Sequence, residues 1–123
     1  ADESAFSPRD VFRLLAMRVC DLINIKLMKA GGLAPAAQIA AMADATGVAC
    51  MMGCMLESKV GITAAAALSA GKAVITKNDL DAADLMAADP VQGGITYDKD
   101  HLVVPDAPGL GITAIDGWLP LKD

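Results

Sequence analysis

Amines and carboxylates follow the ends of three predicted strands, which is where the chemistry of parallel α/β sheets is usually found. Lys26 ends one apolar strand, and Lys29 follows three residues later. A second strand ends near Cys54, shortly before Glu57, and a third runs into Asp79 and Asp81. Such groups transfer protons and bind charged ligands. We therefore treat them as candidate site residues.

Each candidate also has an ordinary structural interpretation. Lys26 could extend its ammonium group to solvent from the end of an apolar strand, and Lys29 could lie on the surface or support another residue. The two aspartates could be turn or helix-cap residues. Glu57 could pair with Lys59 or cap the helix that follows. Residue types alone leave both interpretations open.

The elements that must position these groups alternate between helix and strand. Ser7 followed by Pro8 predicts a helix start, and the helix is expected to run to about Arg18. Residues 21–27 are rich in β-branched side chains and predict a strand. The same order recurs twice, with predicted helices at 35–45 and 60–70 and predicted strands at 48–54 and 73–76.

The alternation ends after Asp89-Pro90. Residues 95–97 and 102–104 flank a turn and predict a β-hairpin in which His101 is a surface turn residue. A Pro- and Gly-rich stretch and a tail follow. The helix–strand units favour parallel strands, either as part of a (β/α)8 barrel of about 250 residues or as a small doubly wound sheet. Periodicity does not choose between them.

The composition excludes several classes. The 123 residues are 54% hydrophobic and 3% aromatic, which predicts a core of small aliphatic side chains. The net charge of −5, with no basic stripe, argues against nucleic acid as a partner. No stretch approaches the ~20 apolar residues of a membrane span, and no secretory signal is visible. We therefore expect a soluble cytoplasmic protein whose three cysteines are buried free thiols.

Four segments, taken in order, resemble the muconate-lactonizing subgroup of the enolase superfamily. Within that subgroup, Asp79-Leu80-Asp81 is similar to the Asp-x-Asp motif of dipeptide epimerases that act on Ala-Glu and related L,L-dipeptides. The resemblance covers nearly the whole chain. The four segments are residues 1–4, residues 21–27 with Lys29 and Gly31-Gly32, residues 53–58, and residues 105–111.

The resemblance implies an α/β fold, namely the C-terminal part of a TIM (β/α)8 barrel of the enolase C-terminal domain-like type. Residues 1–90 would form barrel strands six to eight with their helices. Residues 91–123 would form a hairpin and a tail that belong with the capping domain.

The resemblance also implies a site. Asp2 matches a carboxylate ligand of an essential Mg²⁺, and Lys26 matches the acid/base lysine. Asp79 and Asp81 match the pair that binds the substrate's α-ammonium group, and Glu57 matches a family glutamate that we place among the substrate-binding residues. In this chemistry Mg²⁺ stabilises the enediolate left by removal of a proton α to a carboxylate, and a cation near the lysine lowers its pKa.

Other parts of the family pattern have no counterpart in the chain: a Lys-x-Lys pair, two further metal carboxylates and the capping loops. We therefore expect an inactive C-terminal piece of a larger isomerase, with the missing N-terminal part or a second copy as its partner. Muconate or chloromuconate cycloisomerases, other racemases and a non-catalytic half-barrel module are the alternatives. Asp79 and Asp81 disfavour a muconate, because two carboxylates repel a dianion.

Overall fold

The computed structural model describes residues 1–117, so residues 118–123 of the predicted tail lie outside the described part. The helices are α1 (Pro8–Met17), α2 (Leu27–Ala30), α3 (Leu33–Thr46) and α4 (Lys59–Ala70). The strands are β1 (Leu22–Lys26), β2 (Ala49–Gly53), β3 (Ile75–Asp79), β4 (Val91–Gly93), β5 (Thr96–Asp98), β6 (His101–Val103) and β7 (Ile112–Ile115).

The helix boundaries follow the capping signals in the sequence. The Ser7 hydroxyl accepts a hydrogen bond from the Asp10 backbone N–H at 3.2 Å, and Pro8 occupies the first helical position of α1. Gly47 ends α3 in the left-handed region with a φ of 70°. The three long helices predicted from the sequence are therefore confirmed, whereas the single turn of α2 was not predicted.

Strands β1, β2 and β3 form a parallel sheet in that order. Ile23 and Ile25 of β1, with Cys50 and Met52 of β2, are buried on the face that packs against α3 and α4. The alternate β1 residues on the other face, which include Lys26, are only half-buried. The prediction of parallel strands with helices on one side is confirmed, but β2 is not buried on both faces.

The third strand differs from its prediction. Residues 73 and 74 precede it in a turn, in which the Ile75 N–H donates to the Lys72 carbonyl at 2.9 Å. The strand then continues through Lys77 and Asn78 to Asp79. Pairing with β2 extends it, although its polar residues gave no apolar signal. Asp79 is consequently the last residue of a strand.

The C-terminal segment forms two small antiparallel ribbons. The predicted hairpin is confirmed as β5–β6, although His101 begins β6 instead of lying in the turn. It is exposed, as expected. A second ribbon, β4–β7, was missed because its strands are far apart in the chain. The division at residue 90 between barrel and capping parts stays a prediction.

Helix α4 anchors this segment. The fully buried Thr63 hydroxyl accepts from the Ile95 N–H at 3.1 Å and donates to the Lys59 carbonyl at 2.6 Å. Gly94 adopts a φ of +75° beside it, where a Cβ atom would lie 2.7 Å from the Thr63 oxygen. Lys59 also forms an ion pair with Asp89. Burial acts to raise the pKa of Asp89, but Lys59 outweighs it and the pKa is lowered.

The prediction of three buried thiols is correct only for Cys50, whose pKa burial raises to about 11. Cys20 lies just before β1 and Cys54 just after β2, so both are partly exposed. All three are free. Among the helices of residues 1–117, none has the length and apolar character that a membrane crossing requires.

Candidate functional site

The first residues of the chain lie beside β1. The Ala1 nitrogen donates to the Leu22 carbonyl, and the Asn24 N–H donates to the Ala1 carbonyl at 2.8 Å. This is the hydrogen-bond pattern of a parallel ladder. Asp2 therefore follows Ala1 at the same edge of the sheet at which β1 delivers Lys26.

Two lysines and two carboxylates form a charge cluster at this edge. Lys26 Nζ lies 3.2 Å from Asp2 Oδ2 and 3.3 Å from Glu3 Oε1. Lys29 Nζ donates to Asp2 Oδ1 and, at 2.7 Å, to the Asp2 main-chain carbonyl. We call these four residues the rim cluster. It brings together the predicted metal ligand and the predicted acid/base lysine.

Lys29 is the most buried member of the rim cluster. Its side chain is 2% exposed, against 44% for Asp2, and its ammonium lies 5.7 Å from the centre of the Phe6 ring. The surface interpretation of Lys29 is therefore wrong. The turn of α2 carries Lys29 from the end of β1 back under Asp2, and that turn was not visible in the sequence.

The rim cluster shifts the pKa of Asp2 and that of Lys26. Burial acts to raise the pKa of Asp2, but hydrogen bonds and charges from Lys29 and Lys26 outweigh it and the pKa is lowered. Burial acts to lower the pKa of Lys26, but Asp2 and Glu3 outweigh it and the pKa is raised. The expected lowering of the lysine pKa is thus not produced by residues 1–117, because carboxylates are the charges nearest to it.

The donor chemistry of the rim suits a magnesium ion in part. Carboxylate oxygens are hard ligands of the kind that Mg²⁺ prefers. Lys29 holds one oxygen of Asp2 and leaves Oδ2 facing Lys26 and solvent, with Glu3 beside it. Within residues 1–117, no group of three or more His, Cys, Asp or Glu residues could hold a metal. The chain therefore offers part of a ligand set.

The register of the sheet places Asp79 on the same level as Lys26. Lys26 pairs with Gly53, and Gly53 pairs with Asp79. Two strand spacings separate the outer backbones, or about 10 Å. Gly53 has no side chain, and Asn24 packs closely against it: a Cβ atom on Gly53 would lie 2.6 Å from Asn24 Oδ1.

Cys54 and Asp81 belong to the same edge. Burial raises the pKa of Cys54, and the charges of Asp81, Asp79 and Glu57 raise it further. The side chains of Asp79 and Asp81 are exposed on either side of the buried Leu80. The structure thus gathers these acidic residues around one end of β2 and β3.

Glu57 has a local partner. Its Oε1 accepts from the Met55 backbone N–H at 3.1 Å. It neither pairs with Lys59, which is bound to Asp89, nor caps α4, whose N-cap residue is Ser58. Its substrate-binding role stays a prediction.

Tyr97 is a further residue near the acidic end that the sequence did not single out. Its hydroxyl donates to the Leu80 carbonyl at 2.7 Å. Tyr97 is the only tyrosine in the chain, and that rarity was the available signal.

Parallel strands backed by helices on one face, with an amine and carboxylates at their carboxyl ends, are typical of part of a (β/α)8 barrel. The chain belongs to the enolase C-terminal domain-like family, whose model matches residues 1–117. The expected fold class and family are confirmed.

The similar proteins include dipeptide epimerases. The chain is 55% identical to an L-Ala-D/L-Glu epimerase of Clostridium acetobutylicum, over 94% of this chain and 32% of that protein. It matches the structure of a substrate-liganded complex of the L-Ala-D/L-Glu epimerase of Bacillus subtilis with a TM-score of 0.92, at 53% identity over 94% of this chain and 32% of the other.

A third match is a dipeptide epimerase of Cytophaga hutchinsonii, complexed with Mg and the dipeptide D-Ala-L-Val. It superposes with a TM-score of 0.91 at 36% identity, over 97% of this chain and 33% of the other. The chain spans about a third of the length of the relatives it matches.

Replacing Lys29 by Met tests the rim cluster. The change keeps the length of the side chain but removes the ammonium that binds Asp2 twice. We expect the free energy of unfolding to fall by about 1–3 kcal/mol, measured by urea denaturation of the full-length polypeptide that carries these residues (the parent polypeptide). Lys72→Met, at an exposed turn position, is the matched control. Equal stability of the two variants would contradict the burial argument.

Proposed function

We propose that the parent polypeptide is a Mg²⁺-dependent dipeptide epimerase that removes and returns the proton α to a carboxylate. The observation that carries the proposal is the register that aligns Lys26, Gly53 and Asp79 at the carboxyl ends of the strands. The relatives named L-Ala-D/L-Glu epimerase support the substrate class.

The spacing suits an extended dipeptide. A proton-transferring amine stands on one side of the gap at Gly53, and acidic groups stand on the other. A dipeptide laid across the gap would present its ammonium group to Asp79 and Asp81 and its C-terminal residue to Lys26. Charge-assisted hydrogen bonds from the ammonium would then favour substrates with a free amino terminus.

Lys26 acts as one of the two acid/base groups that inversion of a carbon centre requires, one for each face. In the rim cluster it is held against Asp2 and Glu3, which keep it protonated and fix its direction. Asp2 would hold the metal through the oxygen that Lys29 leaves free. Bound there, Mg²⁺ would supply Lewis-acid stabilisation of the negative charge that develops when the α-proton is removed, and it would offset the carboxylate charge beside the lysine.

Further parts of the proposal rest on the family relationship. Glu57 contributes to substrate binding by fixing the loop at Met55. The second acid/base group and the remaining metal ligands come from outside these residues, so the chain alone is inactive. We place the enzyme in the cytoplasm, with neither nucleic acid nor a membrane as a partner.

The first test is Lys26→Ala in the parent polypeptide. Loss of a positioned acid/base group is expected to lower kcat by about 10²–10⁴-fold. The measurement is incorporation of deuterium from D₂O at the α-carbon of L-Ala-L-Glu. Lys72→Ala serves as the control, because Lys72 is an exposed lysine in the turn before β3. Near-normal exchange by Lys26→Ala would refute the assigned role.

The second test is the pair Asp79→Asn and Asp81→Asn. Each change keeps the shape but removes a charge, and is expected to cost about 1.5–3 kcal/mol in kcat/KM for free dipeptides. Asp44→Asn, at an exposed position on α3, is the control. If the unmodified parent converts N-acetylated dipeptides as well as free ones, the ammonium assignment is wrong, and a cycloisomerase or N-acyl amino acid racemase becomes the better assignment.

A third test concerns the partner of the sheet. The backbone of β3 pairs with β2 on one side, and its other edge has no strand partner among residues 1–117. Unpaired edges and half-exposed interior faces promote association. We expect the isolated 123-residue chain to self-associate and the parent polypeptide to cover this edge itself. Light scattering on the chain measures this, and a stable monomer that binds no hydrophobic dye would contradict it.

A further inference from the structure

Tyr97 ties the C-terminal hairpin to the acidic end of β3. The Tyr97 hydroxyl donates to the Leu80 carbonyl across 17 positions of sequence, at 2.7 Å. That carbonyl belongs to the one residue between Asp79 and Asp81. A single hydrogen bond from β5 thus acts on the backbone that carries both aspartates.

The segment is fixed by three further constraints. Asp79 is held in the ladder with Gly53, and the side chain of Leu80 is buried, with 4% exposure. Beyond it, the Asp81 carbonyl accepts from the Asp84 and Leu85 N–H groups at 2.9 and 3.3 Å. The Leu80 carbonyl itself is held by the Tyr97 hydroxyl. Within the described residues, this is the one hydrogen bond that the Leu80 carbonyl accepts from another element. The two carboxylates therefore project from a backbone held on both sides.

The same hairpin forms a wall of the space around the aspartates. A cavity of about 440 Å³ has Asp79 and Asp81 on one side, and Tyr97 with the turn residues of β5–β6 on the other. Burial raises the pKa of Tyr97, and the charge of Asp84 raises it further, so the hydroxyl remains a donor at neutral and moderately alkaline pH. The donor needed for this contact is thus present at neutral pH.

We propose that Tyr97 is a positioning residue for the Asp79–Asp81 pair, and that the β5–β6 hairpin through it sets the preference for substrates with a free ammonium group. The inference rests on the proposed function, because it assigns the hairpin to the same ammonium-binding end. Tyr97 acts through the Leu80 peptide, to which its hydroxyl is hydrogen-bonded.

Tyr97→Phe in the parent polypeptide removes only the hydroxyl. The measured quantity is the ratio of kcat/KM for L-Ala-L-Glu to that for its N-acetyl derivative. We expect the ratio to fall about three- to tenfold, through a higher KM for the free dipeptide with kcat little changed. Thr113→Val is the matched control, since it removes an exposed hydroxyl from the other ribbon that bonds only to the Gln92 carbonyl.

A purely structural role would give a different result. If Tyr97→Phe lowers kcat/KM equally for both substrates, or lowers the Tm without changing the ratio, the proposal is overturned. On an Asp79→Asn/Asp81→Asn background, Tyr97→Phe is expected to cause no further loss of kcat/KM, because it acts only through those carboxylates. An additive loss would also overturn the proposal.

Two more outcomes separate this proposal from the proposed function. If the unmodified parent does not prefer the free dipeptide, the assignments of the ammonium site and of Tyr97 are both wrong. If the unmodified parent prefers the free dipeptide and Tyr97→Phe keeps that preference, only the assignment of Tyr97 is wrong. Should the Phe variant unfold, 3-fluorotyrosine at position 97 keeps the hydroxyl and is expected to keep the ratio, whereas a loss there would contradict the assignment.

Discussion

Parallel pairing of β1, β2 and β3 is the constraint on which the site depends. Parallel strands deliver their carboxyl ends to one edge, so residues far apart in sequence meet there. The pairing is stabilised from one side only, where isoleucine and methionine side chains of the strands are buried against α3 and α4. The other face carries half-buried side chains, which include the polar Asn24 and Lys26. The fold thus separates the face that stabilises the sheet from the face that is available for chemistry.

The rim cluster shows how a buried cation can organise this edge. Lys29 is nearly inaccessible and is satisfied by the main-chain and side-chain oxygens of Asp2. An ammonium buried without such partners would be costly, so its bonds and its burial depend on each other. These bonds orient the Asp2 carboxylate: one oxygen faces inward to Lys29, and the other faces Lys26. Lys26 in turn lies close to two carboxylates, which explains why its pKa is raised among these residues.

The C-terminal ribbons contribute by contact with α4 and with the residue that follows β3. The Thr63 hydroxyl fixes Ile95 on α4, and the Tyr97 hydroxyl fixes Leu80 beyond β3. Both are hydroxyl groups bonded to backbone, which hold position without adding charge to the site. The two contacts give the hairpin a defined place beside the acidic end.

The sequence by itself determined the three long helices, the first two strands of the sheet and the identity of the main charged groups. Local signals were sufficient for α1 and α3, because Ser7-Pro8 and Gly47 act on their own helix ends. The motifs around Asp2, Lys26 and Asp79 supported the family assignment.

The tertiary structure alone decided those features that require contact between residues far apart in the chain. β3 extends to Asp79 because β2 pairs with it, Lys29 is buried because α2 turns it under Asp2, and Tyr97 reaches Leu80 because the hairpin packs there. No local pattern encodes a contact whose partner lies elsewhere in the chain.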